Sequence, residues 1–248
     1  MMSIGWIASL VLIASLLYSS VGFGGASSYL AAMSLFAVSP NFSATIALCL
    51  NILVAGIAFA NYFRHGHLRP HLLWPFLITS IPAAFVGGAL KVEQSTYQLL
   101  LNVVLLFVAM RLLFYPKAET PAGQKFVRPG WVVALSVGAL IGIVSGIVGI
   151  GGGIFLSPII VLSGWGNAKH AAASSAAFIV LNSISGLIGR AWGGTFTFGV
   201  LGAILIPIGV IGGLVGSLWG ARYLPNRSLQ RVLAVVLLII ISRNVLLS

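Results

Sequence analysis

Acidic side chains are almost missing from this sequence. It has no aspartate and only two glutamates, Glu93 and Glu119, both in connections between apolar stretches. A pump or proton-coupled carrier built on buried carboxylate relays is therefore disfavoured. So is acid–base hydrolysis inside a membrane, which needs a positioned pair of titratable groups. The lone cysteine, Cys49, excludes an internal disulfide framework, and a thiol without a base nearby reads as packing. No G-x-x-x-x-G-K-[ST] run is present, so the chain does not itself hydrolyse ATP. Charge of either sign is scarce: 6% of the residues, against about a quarter in soluble domains. Such a chain cannot clothe a water-facing surface. The first charged side chain is Arg64. The N-terminus lacks the basic start and small-residue cleavage site of a signal peptide. Its apolar run from Ile4 is expected to be a retained first membrane element.

What is present is hydrophobic length. Of the 248 residues, 59% are hydrophobic. A membrane span needs about 20 apolar residues. By that ruler the apolar blocks are 4–38, 42–63, 71–90, 96–115, 130–163, 168–190, 196–219 and 228–247. Blocks 4–38 and 130–163 are too long for one straight span and short for two. Each is interrupted by glycines, in "SSVGFGGASSYL" and in "SGIVGIGGGIFLSP". The net charge of +11 does not indicate nucleic acid, because the basic residues stand singly where apolar runs end. That pattern fits loops obeying the positive-inside bias and attraction to anionic lipid headgroups.

The chain carries an internal echo at a nearly constant offset of about 130 residues. "VGFGG" (21–25) matches "VGIGG" (148–152), and Asn51 in "CLNIL" matches Asn182 in "VLNSI". "PAAFVGG" (82–88) matches "PIGVIGG" (207–213), and "QLLLNVVLLFVAMR" (98–111) matches "QRVLAVVLLIIISR" (230–243). The organisation expected is a first transmembrane repeat, 1–115, a hydrophilic linker, 116–129, and a second repeat, 130–248. The fold class is an all-α polytopic membrane protein, each half a glycine-broken helix or re-entrant hairpin plus three further spans. Three true spans per half invert the second half relative to the first. Charge counting then puts Arg64, Arg69, Lys117, Lys125, Arg128, Lys169, Arg222 and Arg227 on the cytoplasmic side, with Lys91 and Arg190 opposite. If the broken blocks cross completely instead, eight spans and parallel halves result.

A helix start exposes unpaired N–H groups and about half a positive charge. Glycine lets a ligand approach those groups. The second break holds Gly149, Gly151, Gly152 and Gly153; the first holds Gly22, Gly24 and Gly25, followed by Ser27. Two such helix starts converging would form an anion site without any buried arginine. Glycines in membrane helices also serve close packing alone. Four in five positions, echoed in the other half, favour a break. Ser175, Asn182, Ser185 and Gly189 share one helical face by spacing, with Asn51 in the matching place of the first half. The asparagines serve either an interhelical hydrogen bond or substrate contact and backbone support. His65, His67 and His71 read as a solvated basic connection rather than a metal site.

The motifs "VGIGGGIFLSPII" (148–160) and "AAASSAAFIVLNSISGLIG" (171–189), with "VGFGGASSYL" and "ALCLNILVAGIAFANYFRHGHL" (47–68), resemble the TauE/SafE family of membrane transporters. The resemblance covers nearly the whole chain. The first copy departs from the pattern, with Ala31 where the second has Pro158. The resemblance implies a multi-pass carrier of sulfite, sulfonates or similar anions in a bacterial or archaeal cytoplasmic membrane, without cofactor or catalytic residues. The two glycine breaks and the asparagine-bearing spans would form its binding region. For an anion leaving a cell that is negative inside, the membrane potential favours export by about 2.3 kcal/mol per charge per 100 mV. An anion channel and a non-transporting scaffold subunit stay open as alternatives, as do monomer and homodimer.

Overall fold

The computed structural model describes residues 2–21, 25–114 and 126–220, and positions 235, 238, 241 and 242. The described residues form helices and connections, with no strand among them. In chain order the helices are α1 (Met2–Val21), α2 (Ala26–Leu35), α3 (Pro40–Arg64), α4 (Pro70–Ala89) and α5 (Gln94–Phe114). They continue as α6 (Trp131–Val148), α7 (Gly153–Leu162), α8 (Ala168–Gly193) and α9 (Val200–Gly220). Pro40 and Pro70 open α3 and α4, where a missing N–H costs nothing. Asn167 caps α8, its Oδ1 accepting from the His170 N–H at 2.9 Å.

Helices α3, α4, α5, α6 and α8 are long and apolar enough to cross a membrane. Large apolar side chains such as Leu99, Val103, Leu140 and Ile188 point outward along them. In water such a surface would be a liability; against lipid it is the expected exterior. Exposed Trp131 and Trp192 stand near the ends of α6 and α8, where interfacial tryptophans collect.

Glycine–carbonyl contacts set how the helices pair. Gly138, Gly142 and Gly146 of α6 lie against the carbonyls of Phe76, Ser80 and Ala84 on α4, which makes the two helices parallel. Gly212 and Gly216 of α9 lie against the carbonyls of Leu12 and Leu16 on α1, so these two are parallel as well. At each point a Cβ would collide with backbone. The contact is one that only a bare backbone makes, and it brings the helices close without any polar partner.

The asparagine-bearing helices α3 and α8 pack together and run antiparallel. Leu48 meets Gly186 in their middle, and His67, just past the end of α3, lies near Lys169 and His170 at the start of α8. The 126–130 segment before α6 is joined to the turn after α7, Val127 N–H donating to the Gly164 carbonyl at 3.2 Å. The far ends of α6 and α7 thus lie together. The core is divided in two: a larger apolar cluster joins α1, α2, α3 and α5 with Val148, Ile150 and Ile154, and a smaller one centres on Phe76, Leu156 and Phe178.

Candidate functional site

Helix α6 ends at Val148 and α7 starts at Gly153, with a non-helical stretch between. Gly149, Gly151 and Gly152 in that stretch have φ of 88°, 77° and 77°, a left-handed conformation that side chains rarely adopt. Gly152 caps α7, its carbonyl accepting from Phe155 N–H and Leu156 N–H at 3.1 and 3.4 Å. The same arrangement stands at the start of α2. There Gly25, with φ of 82°, accepts from Ser28 N–H and Tyr29 N–H at 3.0 and 3.2 Å.

Space around Gly151 is set by two other helices. A Cβ at this residue would lie 2.7 Å from Asn51 Nδ2 on α3 and 3.1 Å from Ser183 Oγ on α8. Next to it, a Cβ at Gly153 would lie 2.6 Å from the Ser175 carbonyl. Asn51, Ser175 and Ser183 are all buried. Asn51 is fully buried, and neither its Oδ1 nor its Nδ2 has a hydrogen-bond partner among the described residues. Ser175 Oγ, Ser183 Oγ and Asn182 Oδ1 are likewise buried without partners among the described residues. Asn182 Nδ2 bonds back to the Phe178 carbonyl of its own helix at 2.9 Å. Among the described residues neither asparagine makes the interhelical hydrogen bond that is the plain structural use of such a residue. The first N–H groups of α7 have no partner within that helix, as at any helix start.

The last turn of α6 is held from outside. Arg190 donates through Nη2 to the carbonyls of Gly146 and Ile147, at 3.1 and 2.6 Å. Tyr97 OH donates to the Val148 carbonyl at 3.2 Å. A guanidinium there opposes the negative end of the helix dipole. This corrects one expectation. Arg190 was to end a span at the interface. Instead α8 continues to Gly193, and Arg190 turns inward against α6 with 3% of its surface exposed. It forms no ion pair with a carboxylate among the described residues; Glu93, the acid among them, is exposed.

The remaining expected residues divide. Gly22 and Gly24 lie outside the described residues. Gly25 and buried Ser27 stand at the start of α2, while the side chains against Gly151 come from α3 and α8. The expected polar face of α8 is split: Ser185 Oγ donates to the Ile81 carbonyl at 2.6 Å, and Gly189 packs on the Phe85 carbonyl. Both belong to the contact with α4. Ser183, one residue beyond Asn182, faces the break and was not expected. Its signal in the sequence was the spacing of 100° per residue, which puts it beside Ile179 rather than Asn182. At the end of the bundle where α3 stops, His65 and His71 are exposed, and no group of His, Cys or acidic residues among the described residues could hold a metal. Partial burial, then the charges of Lys169 and His65, holds His67 below the ordinary histidine range.

A helical bundle with lipid-type exterior, interrupted helices and unsatisfied polar groups in its centre defines a multi-pass membrane transporter. Residues 7–243 match the family Sulfite exporter TauE/SafE, and the chain belongs to it. A "Probable membrane transporter protein y4hK" of Sinorhizobium fredii (strain NBRC 101917 / NGR234) is 35% identical over 176 residues, 71% of each chain. No solved structure matches.

Proposed function

We propose that this protein carries a small sulfur-containing oxyanion, sulfite or a sulfonate, outward across the cytoplasmic membrane, holding it where α7 begins. The observation that carries this reading is that the buried Asn51 amide and Ser183 hydroxyl meet at Gly151 without partners among the described residues. Each such atom costs about 1–3 kcal/mol when left unpaired. An oxyanion would accept from the Asn51 amide, the Ser175 and Ser183 hydroxyls and the first N–H groups of α7. The dipole of α7 adds positive potential in a medium of low dielectric. The family's name points to sulfite. Export agrees with the direction in which the membrane potential drives an anion.

The same reading makes α6 and α7 a re-entrant hairpin, and makes residues 1–115 and 130–248 inverted repeats. In its support, Val127 and Gly164 tie the hairpin's two open ends together. Asn51 and Asn182 stand on helices that run in opposite directions. Each helix preceding a glycine break, α1 or α6, lies along a P-x4-G-G helix from the other half, α9 or α4.

Uptake of labelled sulfite into liposomes, with sulfate and acetate as competitors, tests the proposal. The wild-type chain is expected to give saturable flux that supports counter-flow. Gly152→Leu, with its Cβ 2.6 Å from Ile141 Cγ2, should abolish it. Asn51→Leu, which keeps the backbone, should lower it at least about tenfold, the equivalent of one lost polar contact. Linear, non-saturating flux would instead mean a channel. A folded wild-type protein without flux of any tested anion would mean a scaffold or another cargo. Normal flux in both variants would remove the site.

A further inference from the structure

The end of the bundle where α4 and α8 begin carries a polar cavity, away from Gly151. Its volume is about 280 Å³, and Arg69, His71, Arg128, Phe126 and Trp165 line it. Helix α7 separates it from the glycine break by about 15 Å, the length of ten helical residues.

One of its cations is held by a side-chain contact, and the other stands on a tethered stretch of backbone. Arg69 Nε donates to His170 Nε2 at 3.3 Å, which leaves the end of its guanidinium for other contacts. Arg128 lies between Val127, fixed to Gly164, and buried Pro129. The walls are fixed too: Phe126 stands edge-on to His170 with centroids 5.5 Å apart, and Trp165 packs on Phe76 at 5.8 Å. Among the described residues nothing of opposite sign is near. Glu93 lies past the other end of α4, about 30 Å away by helix length, several times the Debye length at physiological salt. Arg69 and Arg128 line one cavity, and guanidiniums have the planar shape that forks onto an oxyanion.

We propose that the Arg69–Arg128 cavity is a binding site for a phosphate-type or sulfonate-type oxyanion. Its size takes either a free ion with its water or the headgroup of an anionic lipid. This site does not rest on the transport reading, since binding is measured without flux.

The test uses the full chain in nanodiscs and reads the fluorescence of Trp165, isolated by subtracting a Trp165→Phe control. Inorganic phosphate or sulfate is titrated at constant ionic strength against chloride. In phosphatidylcholine discs a saturable change is expected, with the apparent Kd raised at least about tenfold in Arg69→Gln/Arg128→Gln and partly restored in Arg69→Lys/Arg128→Lys. If the natural occupant is lipid, discs of equal phosphatidylcholine and phosphatidylglycerol will block the phosphate response. Native mass spectrometry will then find phosphatidylglycerol retained by the wild type and lost from the glutamine variant. Either result supports the site. If phosphate, sulfate and phosphatidylglycerol all behave alike in wild type and glutamine variant, with unchanged melting curves, the proposal is wrong.

Discussion

Gly151 shows how much one missing side chain controls. Two separate constraints act on it, a φ of 77° and the nearness of Asn51 and Ser183. Gly66 has only the first: its φ is 67°, but nothing lies within 4 Å of where a Cβ would stand. The pair therefore separates backbone strain from occupied space. Gly66→Ala should cost about 1 kcal/mol of stability and leave sulfite flux intact. Gly151→Ala should cost about 2–4 kcal/mol and remove most of the flux, because the new methyl displaces the Asn51 amide. Thermal unfolding in detergent and liposome uptake, run on both variants, check this. Asn51 was legible in the sequence as a polar residue at membrane depth. Arg190 was not, because charge beside the end of an apolar run reads as interface until the helix is known to continue past it. Only the fold shows that this guanidinium turns toward the carbonyls of α6.

Among the elements, the single spans were the most legible. Blocks 42–63, 71–90, 96–115 and 168–190 correspond to α3, α4, α5 and α8 within a few residues at each end. Apolar length is itself the physical requirement for crossing lipid, so reading it reads the cause. Which helix lies beside which was not legible, since a glycine stripe says that something packs closely without saying what. On α6 the stripe serves α4. Gly142→Val would drive its side chain into the Ser80 backbone, whose Cα would lie 2.8 Å from the new Cβ, and into Ala83. The expected result is a loss of at least about 3 kcal/mol, seen as a lowered melting temperature or failure to fold. Gly56 on α3 meets nothing within 4 Å. Gly56→Ala should stabilise by about 0.5–1 kcal/mol through helix propensity.

For the whole molecule, the proposed inverted arrangement makes a prediction about sides. With Cys49 replaced by serine, single cysteines at Gly130, Ser163 and His71 should all react with an impermeant thiol reagent from one side of the membrane. A cysteine at Lys91 should react only from the other. Labelling of Gly130 and Ser163 from opposite sides would mean that α6 and α7 cross completely and that the halves are parallel. The pairing of α1 with α9 carries a consequence of a different kind, one of timing. The ribosome makes α1 first, yet the glycine face it packs on arrives roughly 200 residues later. Contacts this distant along a chain form late and slowly. Throughout synthesis α1 must wait in the lipid without its neighbour. A chain cut off before α9 would leave that helix searching for a partner and fit for removal by quality control.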